Sequence, residues 1–398
     1  LYGTRPLNTT FTLTGGTVNA FIDPGCTIPY VAQSVSTVYV RPTPLQLASP
    51  SWSFTANATL GNGCPISEFI TITNSTKLWI GGTSSDWYNP NNWSPTGVPD
   101  ANTCVFVYDG TFDADINNIS NDAFARFVTV RPSGLLTIHP NNDLTITDNL
   151  TVDAGGTVNI ENSGSLIQVN NLANTGNITM RRNVNIRQLD YVYWSSPVAN
   201  FASSAISPLT PASFIYKWAP TLGGTVNNHG NWIGGSESMT AGKGYIVRGP
   251  STYTSTLQNY TANFVGVPNN GNITIPVSRG TYNGGTYNTL VSTTLGTADD
   301  DNWNLLGNPY PSAISANTFL ATNTNLAGFI KFWTHGTLPS AAISDPFYNN
   351  YVQNYTVGDY VTYNATGANP PIGNGNIASG QGFFVLMNSS KFVQHFAL

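Results

Sequence analysis

Three runs decide the fold: Leu144-Thr145-Ile146-Thr147, Leu150-Thr151-Val152-Asp153 and Val158-Asn159-Ile160-Glu161. Each alternates apolar and polar residues, the period of a strand with one buried face. Working outward, aliphatic residues recur at Leu136, Leu144, Leu150, Val158, Leu166, Leu172, Ile178 and Val184, six to eight residues apart. Gly, Asn or Asp fills the gaps between about 127 and 187. Three strands at this spacing sum to about 20–22 residues, one coil of a short right-handed parallel β-solenoid whose inward aliphatics stack coil on coil. A set of hairpins is the alternative reading, and the short uniform gaps with little charge favour the solenoid.

Just before the periodic region lie Leu78-Trp79-Ile80-Gly81-Gly82-Thr83, then Asp86-Trp87-Tyr88-Asn89-Pro90-Asn91-Asn92-Trp93-Ser94 and Val98-Pro99-Asp100. Three tryptophans within fifteen residues, set among Gly, Pro and Asn, make no regular helix. They predict a looped cap in which indoles cover an exposed β edge and Asn and Asp side chains close turns. An aromatic platform for sugars is the competing reading, and buried indoles are more often core.

Composition extends the β reading to the whole chain. Only 8% of the 398 residues are charged, while 40% are hydrophobic and 12% aromatic. Disordered chains pair low hydrophobicity with high charge, so this one folds. Thr, Val, Ile, Tyr, Phe and Trp outweigh the strong helix formers, and 38 Gly with 25 Pro punctuate many short strands. The fold class is all-β. A formal charge of −5 without a basic patch argues against nucleic acid. No run of about 18 apolar residues predicts a membrane span.

Three modules follow. Residues 1–77 alternate in short runs such as Ser36-Thr37-Val38-Tyr39-Val40 and Phe69-Ile70-Thr71-Ile72-Thr73, and read as an immunoglobulin-like sandwich remnant. Residues 78–190 form the Trp-rich cap and solenoid. Residues 191–398 contain an internal duplication predicting a β-sandwich or jelly roll. Trp194-Ser195-Ser196-Pro197 is echoed by Leu306-Gly307-Asn308-Pro309, and Phe214-Ile215-Tyr216-Lys217-Trp218 by Phe329-Ile330-Lys331-Phe332-Trp333. Ala241-Gly242-Lys243-Gly244-Tyr245-Ile246-Val247 returns as Ser379-Gly380-Gln381-Gly382-Phe383-Phe384-Val385. Between the copies, Asn259 to Val277 reads as a hairpin, and helix-like turns are expected near Ser312–Leu320 and Ala199–Ile206.

Candidate chemistry is sparse. His139, His229, His335 and His395 each sit alone in sequence, and no nucleophile elbow, phosphate loop or zinc helix occurs, so no catalytic residue is expected. Asp299-Asp300-Asp301 gathers three carboxylates into one loop, a candidate calcium site, with Asp109, Asp113 and Asp115 a looser second group. Trp232, Trp303, Tyr282 and Tyr287 are candidate glycan contacts. Of the three cysteines, Cys26 and Cys64 are candidates for a disulfide within the first module, with Cys104 a buried thiol; three unpaired core cysteines is the equal alternative. With Leu1 in first place and no leader pattern, the chain reads as processed or as a fragment.

The segment from Trp79-Ile80-Gly81-Gly82 through Asp86-Trp87-Tyr88-Asn89-Pro90-Asn91-Asn92-Trp93 to Val98-Pro99 resembles a module of large secreted adhesins of the Bacteroidota. Trp303-Asn304-Leu305-Leu306-Gly307-Asn308-Pro309-Tyr310-Pro311-Ser312-Ala313-Ile314 and Ile377 to Val385 resemble segments near the C-termini of the same proteins. Those proteins are type IX secretion cargo of the gliding-motility-adhesin kind. The resemblance implies export by that machinery and an extracellular or outer-membrane-surface location, and it brings no catalytic residues. It departs from the pattern in ending at Phe396-Ala397-Leu398 without the sorting domain. The expectation is a non-catalytic surface adhesin or structural module touching glycans or other copies of itself. A glycan-binding accessory region of a secreted hydrolase and a subunit of an extracellular filament are the rivals.

Overall fold

A computed structural model describes residues 2–4, 10–15, 18–43, 46, 51–59, 64–73, 75–222, 231–278, 303–342, 355–364, 366–369, 375–387 and 394–396. The chain is mostly β, as its composition predicts, with a solenoid of about 4 turns and several further sheets.

The first module holds two three-stranded antiparallel sheets. One orders Tyr2–Thr4, Thr37–Arg41 and Asn19–Phe21; the other orders Thr10–Thr14, Ser51–Thr59 and Pro65–Thr73. Of the two readings of the cysteines, the unpaired one is seen: Cys26, Cys64 and Cys104 are free thiols. Cys26 closes the tight turn after Asn19–Phe21, with a φ of 51, while Cys64 leads into Pro65–Thr73 of the other sheet. The two cysteines therefore belong to different sheets.

The solenoid has three faces. One stacks Thr76–Trp79, Cys104–Val107, Phe127–Val130 and Leu150–Val152 in parallel. The second stacks Ala114–Ile116, Leu135–Ile138, Thr157–Ile160 and the start of Ile178–Ile186, and the third Ala123–Ala125, Asp143–Ile146 and Ser165–Gln168. Register places like on like: Ile116, Ile138, Ile160 and Met180 form one buried column, and Val105, Val128 and Leu150 another. Corners stack as well. Ser133 donates its N–H to Gly155 and Asn141 to Ser163, and all four residues hold left-handed φ values between 60 and 90. The few charges are spent between coils: Arg126 on Asp148 at 2.9 Å, Arg131 on Asp153 at 2.9 Å, His139 on Asp115 at 3.1 Å, and Arg181 on Glu161. Partners lie 20 to 24 residues apart, one coil length. Such solvent-screened pairs fix register more than they stabilise.

Both ends of the solenoid are closed. At the start, Trp79, Trp87 and Trp93 pack edge to face or stacked at 4.7 to 6.5 Å, each nearly fully buried. The cap loop is organised on Asn92, itself fully buried. Its Oδ1 accepts from Thr83 N, Thr83 Oγ1 and Ser84 N, and its Nδ2 donates to Ser84 Oγ and Asp86 O. The structural reading of the Trp-rich segment therefore holds: these rings are core and offer no platform. At the far end, Gln168 occupies the column of Ala125 and Ile146, where an aliphatic residue would continue the stack. Its amide is satisfied by Asp148 O, Leu172 O and Asn174 Nδ2. The chain leaves the coil here, so Leu172, expected inside, is 46% exposed.

Strand Ile178–Ile186 joins the solenoid to the rest. It runs parallel to Thr157–Ile160 at its start and antiparallel to Gln258–Gly266 over nine residues. The hairpin expected from Asn259 to Val277 is thus split, because Ile273–Ile275 pairs instead with Gln394–Phe396. Asn174 Nδ2 reaches Pro268 O, Asn270 Nδ2 reaches Asn170 O, and Leu166 N reaches Pro311 O, covering the solenoid's last coil.

The duplication is topological as well as sequential. The first copy orders Tyr191–Trp194, Tyr245–Arg248, Ile215–Ala219 and Asn231–Gly234; the second orders Trp303–Gly307, Gly382–Met387, Leu326–Trp333, Tyr360–Asn364 and Gly367–Asn369. In both, the first strand lies beside the last and the middle strand follows. The sheets face one another across an aromatic layer. The outer face of the first sheet joins the solenoid core, and helix Ala316–Thr322, N-capped by Ser315, belongs to the core on the outer face of the second. That helix is the turn expected near Ser312–Leu320, lengthened to seven residues, and Ser203–Ala205 is a single 3-10 turn.

The copies exchange equivalent contacts, as two subunits about a two-fold axis would. Ser195 N donates to Gly380 O while Gly307 N donates to Gly242 O, and isolated bridges join Trp194 to Gln381 and Leu306 to Lys243. Here the Gly-Lys-Gly and Gly-Gln-Gly motifs find their cause. A Cβ on Gly244 would sit 2.5 Å from Leu305 Cγ, and one on Gly382 would sit 3.0 Å from Tyr193 C.

Candidate functional site

The layer between the two sheets gathers aromatic side chains that alternation alone directs there. In Tyr191–Trp194, Val192 and Trp194 face the solenoid core while Tyr191 and Tyr193 face the second sheet. Phe384 is central: its ring lies 5.6 Å from Trp218, 5.7 Å from Tyr193, 6.0 Å from Trp232 and 6.2 Å from both Trp303 and Tyr360. Trp218 Nε1 donates to Trp303 O at 2.7 Å, and its counterpart Trp333 Nε1 donates to Tyr191 O at 2.8 Å. The hydroxyls of Tyr193 and Tyr360 meet at 2.5 Å. Burial pushes the phenols of Tyr191, Tyr355 and Tyr360 well above their ordinary range, so they remain neutral donors and acceptors.

Two cations enter this layer. Lys331 lies across the strands from Phe384 and Thr362, with Nζ 5.4 Å from the Trp303 ring centre and 6.0 Å from that of Tyr360. Burial pushes its ammonium below the ordinary lysine range. Among the described residues no carboxylate and no hydrogen-bond acceptor meets it. Arg248, paired with Tyr191 exactly where Leu386 pairs with Trp303, stacks its guanidinium 3.3 Å over the centre of the Phe214 ring. Its Nε is buried without an acceptor, and burial lowers its pKa. Register equates Tyr216 with Lys331, so each copy carries one cation among aromatics, on different strands.

Other ionisable clusters hold structure. Asp190, fully buried, accepts from Arg187 N at 2.9 Å and from Arg187 Nη1 at 3.4 Å; burial raises its carboxyl. Arg187 also reaches His335 O and Gly336 O, tying the second sheet to the strand that leaves the solenoid. Glu237 takes Lys217 and the Tyr245 hydroxyl on the outer side of the first sheet, where the second copy places Phe332 and Phe383.

Of the residues singled out in the sequence, Trp232 and Trp303 fall in the inter-sheet layer, half-buried and with ring contacts on their neighbours. Asp299, Asp300, Asp301, Tyr282 and Tyr287 lie outside the described residues. Asp115 is engaged by His139, and among the described residues no three His, Cys, Asp or Glu side chains gather as a metal group. Lys331 escaped notice in the sequence although a signal existed: it is the single charge in Phe329-Ile330-Lys331-Phe332-Trp333, at a position that alternation sends inward. No described helix is long and apolar enough to cross a membrane.

No curated protein matches the chain, and no solved structure does. The model of the DUF8693 family, a domain of unknown function, matches residues 78–396, which takes in cap, solenoid and both copies of the duplicated sheet as one unit, and the chain belongs to that family.

Proposed function

We propose that this chain is a non-catalytic adhesive or structural module of a secreted bacterial surface protein. One observation carries the reading: a single buried core runs from the Trp cap through the coils into the first duplicated sheet, and strand Ile178–Ile186 joins the two parts by backbone hydrogen bonds. A body built this way transmits force along its length and holds its surfaces at fixed positions. Low charge and the resemblance to type IX secretion cargo support an extracellular setting. The test is deletion of the segment encoding residues 78–396 in a producing strain, scored by attachment to a coated surface and by immunolabelling of intact cells. Loss of attachment with the remaining protein still displayed is the expected result. Unchanged attachment, or hydrolytic activity of the purified chain on a polysaccharide panel, would overturn the proposal.

A further inference from the structure

We propose that the first module joins two copies of this chain, edge strand to edge strand, along Pro65–Thr73. The inference is independent of the adhesive reading above and concerns residues that precede the family match. Pro65–Thr73 pairs on one side with Ser51–Thr59 through nine consecutive residue pairs without a bulge, and among the described residues no strand pairs with its other side. A strand left open in this way is a template for another strand, and proteins blunt such edges with lysine, proline, bulges or a covering group. The opposite edge of the same sheet is blunted: the Tyr30 hydroxyl accepts from Phe11 N at 2.7 Å and donates to Phe11 O at 3.0 Å. Among the described residues Pro65–Thr73 has no such cover, its one charge is Glu68, and its one proline stands at its start.

Burial marks the open side as well. On the face shared with the middle strand, Phe54 and Ala58 are buried, whereas their cross-strand neighbours Ile70 and Ile66 stay half-buried. On the other face Phe69 is 72% exposed. Among the described residues of the module only Val38, Phe54 and Ala58 are buried apolar side chains, a small core for two sheets. A further strand alongside Pro65–Thr73 would cover the isoleucines and Phe69 together. The strand is its own complement. Laid antiparallel on a second copy about a two-fold axis through Phe69, it sets Phe69 against the partner's Phe69 and Ile66 against the partner's Ile72. Ser67 then meets the partner's Thr71, and Glu68 meets the partner's Ile70. Apolar groups oppose apolar groups, hydroxyl opposes hydroxyl, and no like charges fall opposite one another. A second copy carries this match by symmetry, and the two-fold closes the assembly at a pair.

The test is sedimentation velocity of the purified 398-residue chain from about 1 to 200 µM. Addition of one strand makes a small interface, so a monomer–dimer equilibrium with a Kd of roughly 1–100 µM is expected. Phe69→Lys sets two ammonium groups face to face at the axis and should weaken the dimer at least about ten-fold. Because Phe69 is exposed, that variant should keep the parent's far-ultraviolet circular dichroism. Register is read from cysteines under mild oxidation, with the linked peptides identified by mass spectrometry. Phe69→Cys should join its own copy across the axis. Ser67→Cys alone should not, whereas Ser67→Cys combined with Thr71→Cys should link position 67 to position 71. Amide exchange of the parent needs no variant: protection of Pro65–Thr73 should rise with concentration while that of Thr10–Thr14 stays constant. A chain that stays monomeric across the range would overturn the inference. So would a folded Phe69→Lys variant that dimerises like the parent, or dimers that protect other segments. Should Phe69→Lys fail to fold, the exchange pattern decides. None of these outcomes depends on whether cells attach.

Discussion

Replacing Asn92 by Ala should loosen the whole N-terminal end of the solenoid. The side chain makes five hydrogen bonds and is fully buried, and it organises residues 83 to 86 around itself. Alanine leaves the N–H groups of Thr83 and Ser84 and the carbonyl of Asp86 without these partners. An unsatisfied buried group costs about 1–3 kcal/mol, and water at exposed Thr83 recovers part of that, so the loss should be about 3 kcal/mol. With an unfolding entropy of about 2.1 cal/mol/K per residue over the family unit, Tm should fall roughly 4–5 °C. Tryptophan fluorescence during thermal unfolding is the assay, because Trp87 and Trp93 are nearly dry and flank the loop. Asn91→Ala, one residue away and exposed, serves as control and should move Tm by less than about 1 °C. Equal shifts for the two variants, or a shift under about 1 °C for Asn92→Ala, would refute the account of the cap.

Leu144→Ala should cost about 2–5 kcal/mol in a urea titration, since Leu144 is buried between Ala123 and Leu166, whereas Leu172→Ala should stay within about 0.5 kcal/mol. Gly244→Ala should disrupt the paired sheets more than Gly382→Ala, given approaches of 2.5 and 3.0 Å; near-ultraviolet circular dichroism should fall while the solenoid's far-ultraviolet signal persists. Removing the Arg126–Asp148 pair by Arg126→Ala should lower Tm only slightly, and the difference from the parent should vanish in molar salt, because the pair is open to solvent. Acid should destabilise the solenoid only at low pH. Arg126 holds Asp148, and Thr103 holds Asp100, below the ordinary 3.8; their contribution is complete above that value and is lost as pH falls through the lower folded-state values. A Tm profile from pH 7 downward should therefore show Asp100→Asn and Asp148→Asn differing from the parent above 3.8 and converging on it as pH falls further below that value.

Much of this architecture can be read from residues alone, and the failures have physical causes. The inward positions Leu136, Leu144, Leu150, Val158, Leu166 and Ile178 follow from alternation plus a fixed coil length, both local properties. Leu172 breaks the rule because Gln168 has already ended its column, and a glutamine that is satisfied inside differs from one on the surface only by its partners. The duplication shows in three matched motifs, yet the exchange of Ser195 and Gly307 contacts between copies depends on a pseudo-symmetry no motif encodes. Spacing left Cys26 and Cys64 open between a disulfide and free thiols, because it says nothing about which sheet a strand joins. Trp232 and Trp303 could be flagged by residue type, but their gathering around Phe384 depends on two sheets far apart in sequence facing one another, which is visible only in three dimensions.

The pairing of early with late segments also sets an order of assembly. Each solenoid coil lays its strands on the coil just made, about 22 residues back, so the first half can form step by step as the chain emerges. The duplicated sheets cannot. Gly382–Met387 occupies an interior place in the second sheet, and Ser195 waits for Gly380, nearly half the chain away. Until those last residues arrive, the aromatic faces of Tyr191–Trp194 and Ile215–Ala219 have no partner layer and are open to other chains. A chain stalled or cut short before Gly380 should thus carry a finished spiral attached to a sticky, half-built sandwich, the state in which aggregation begins.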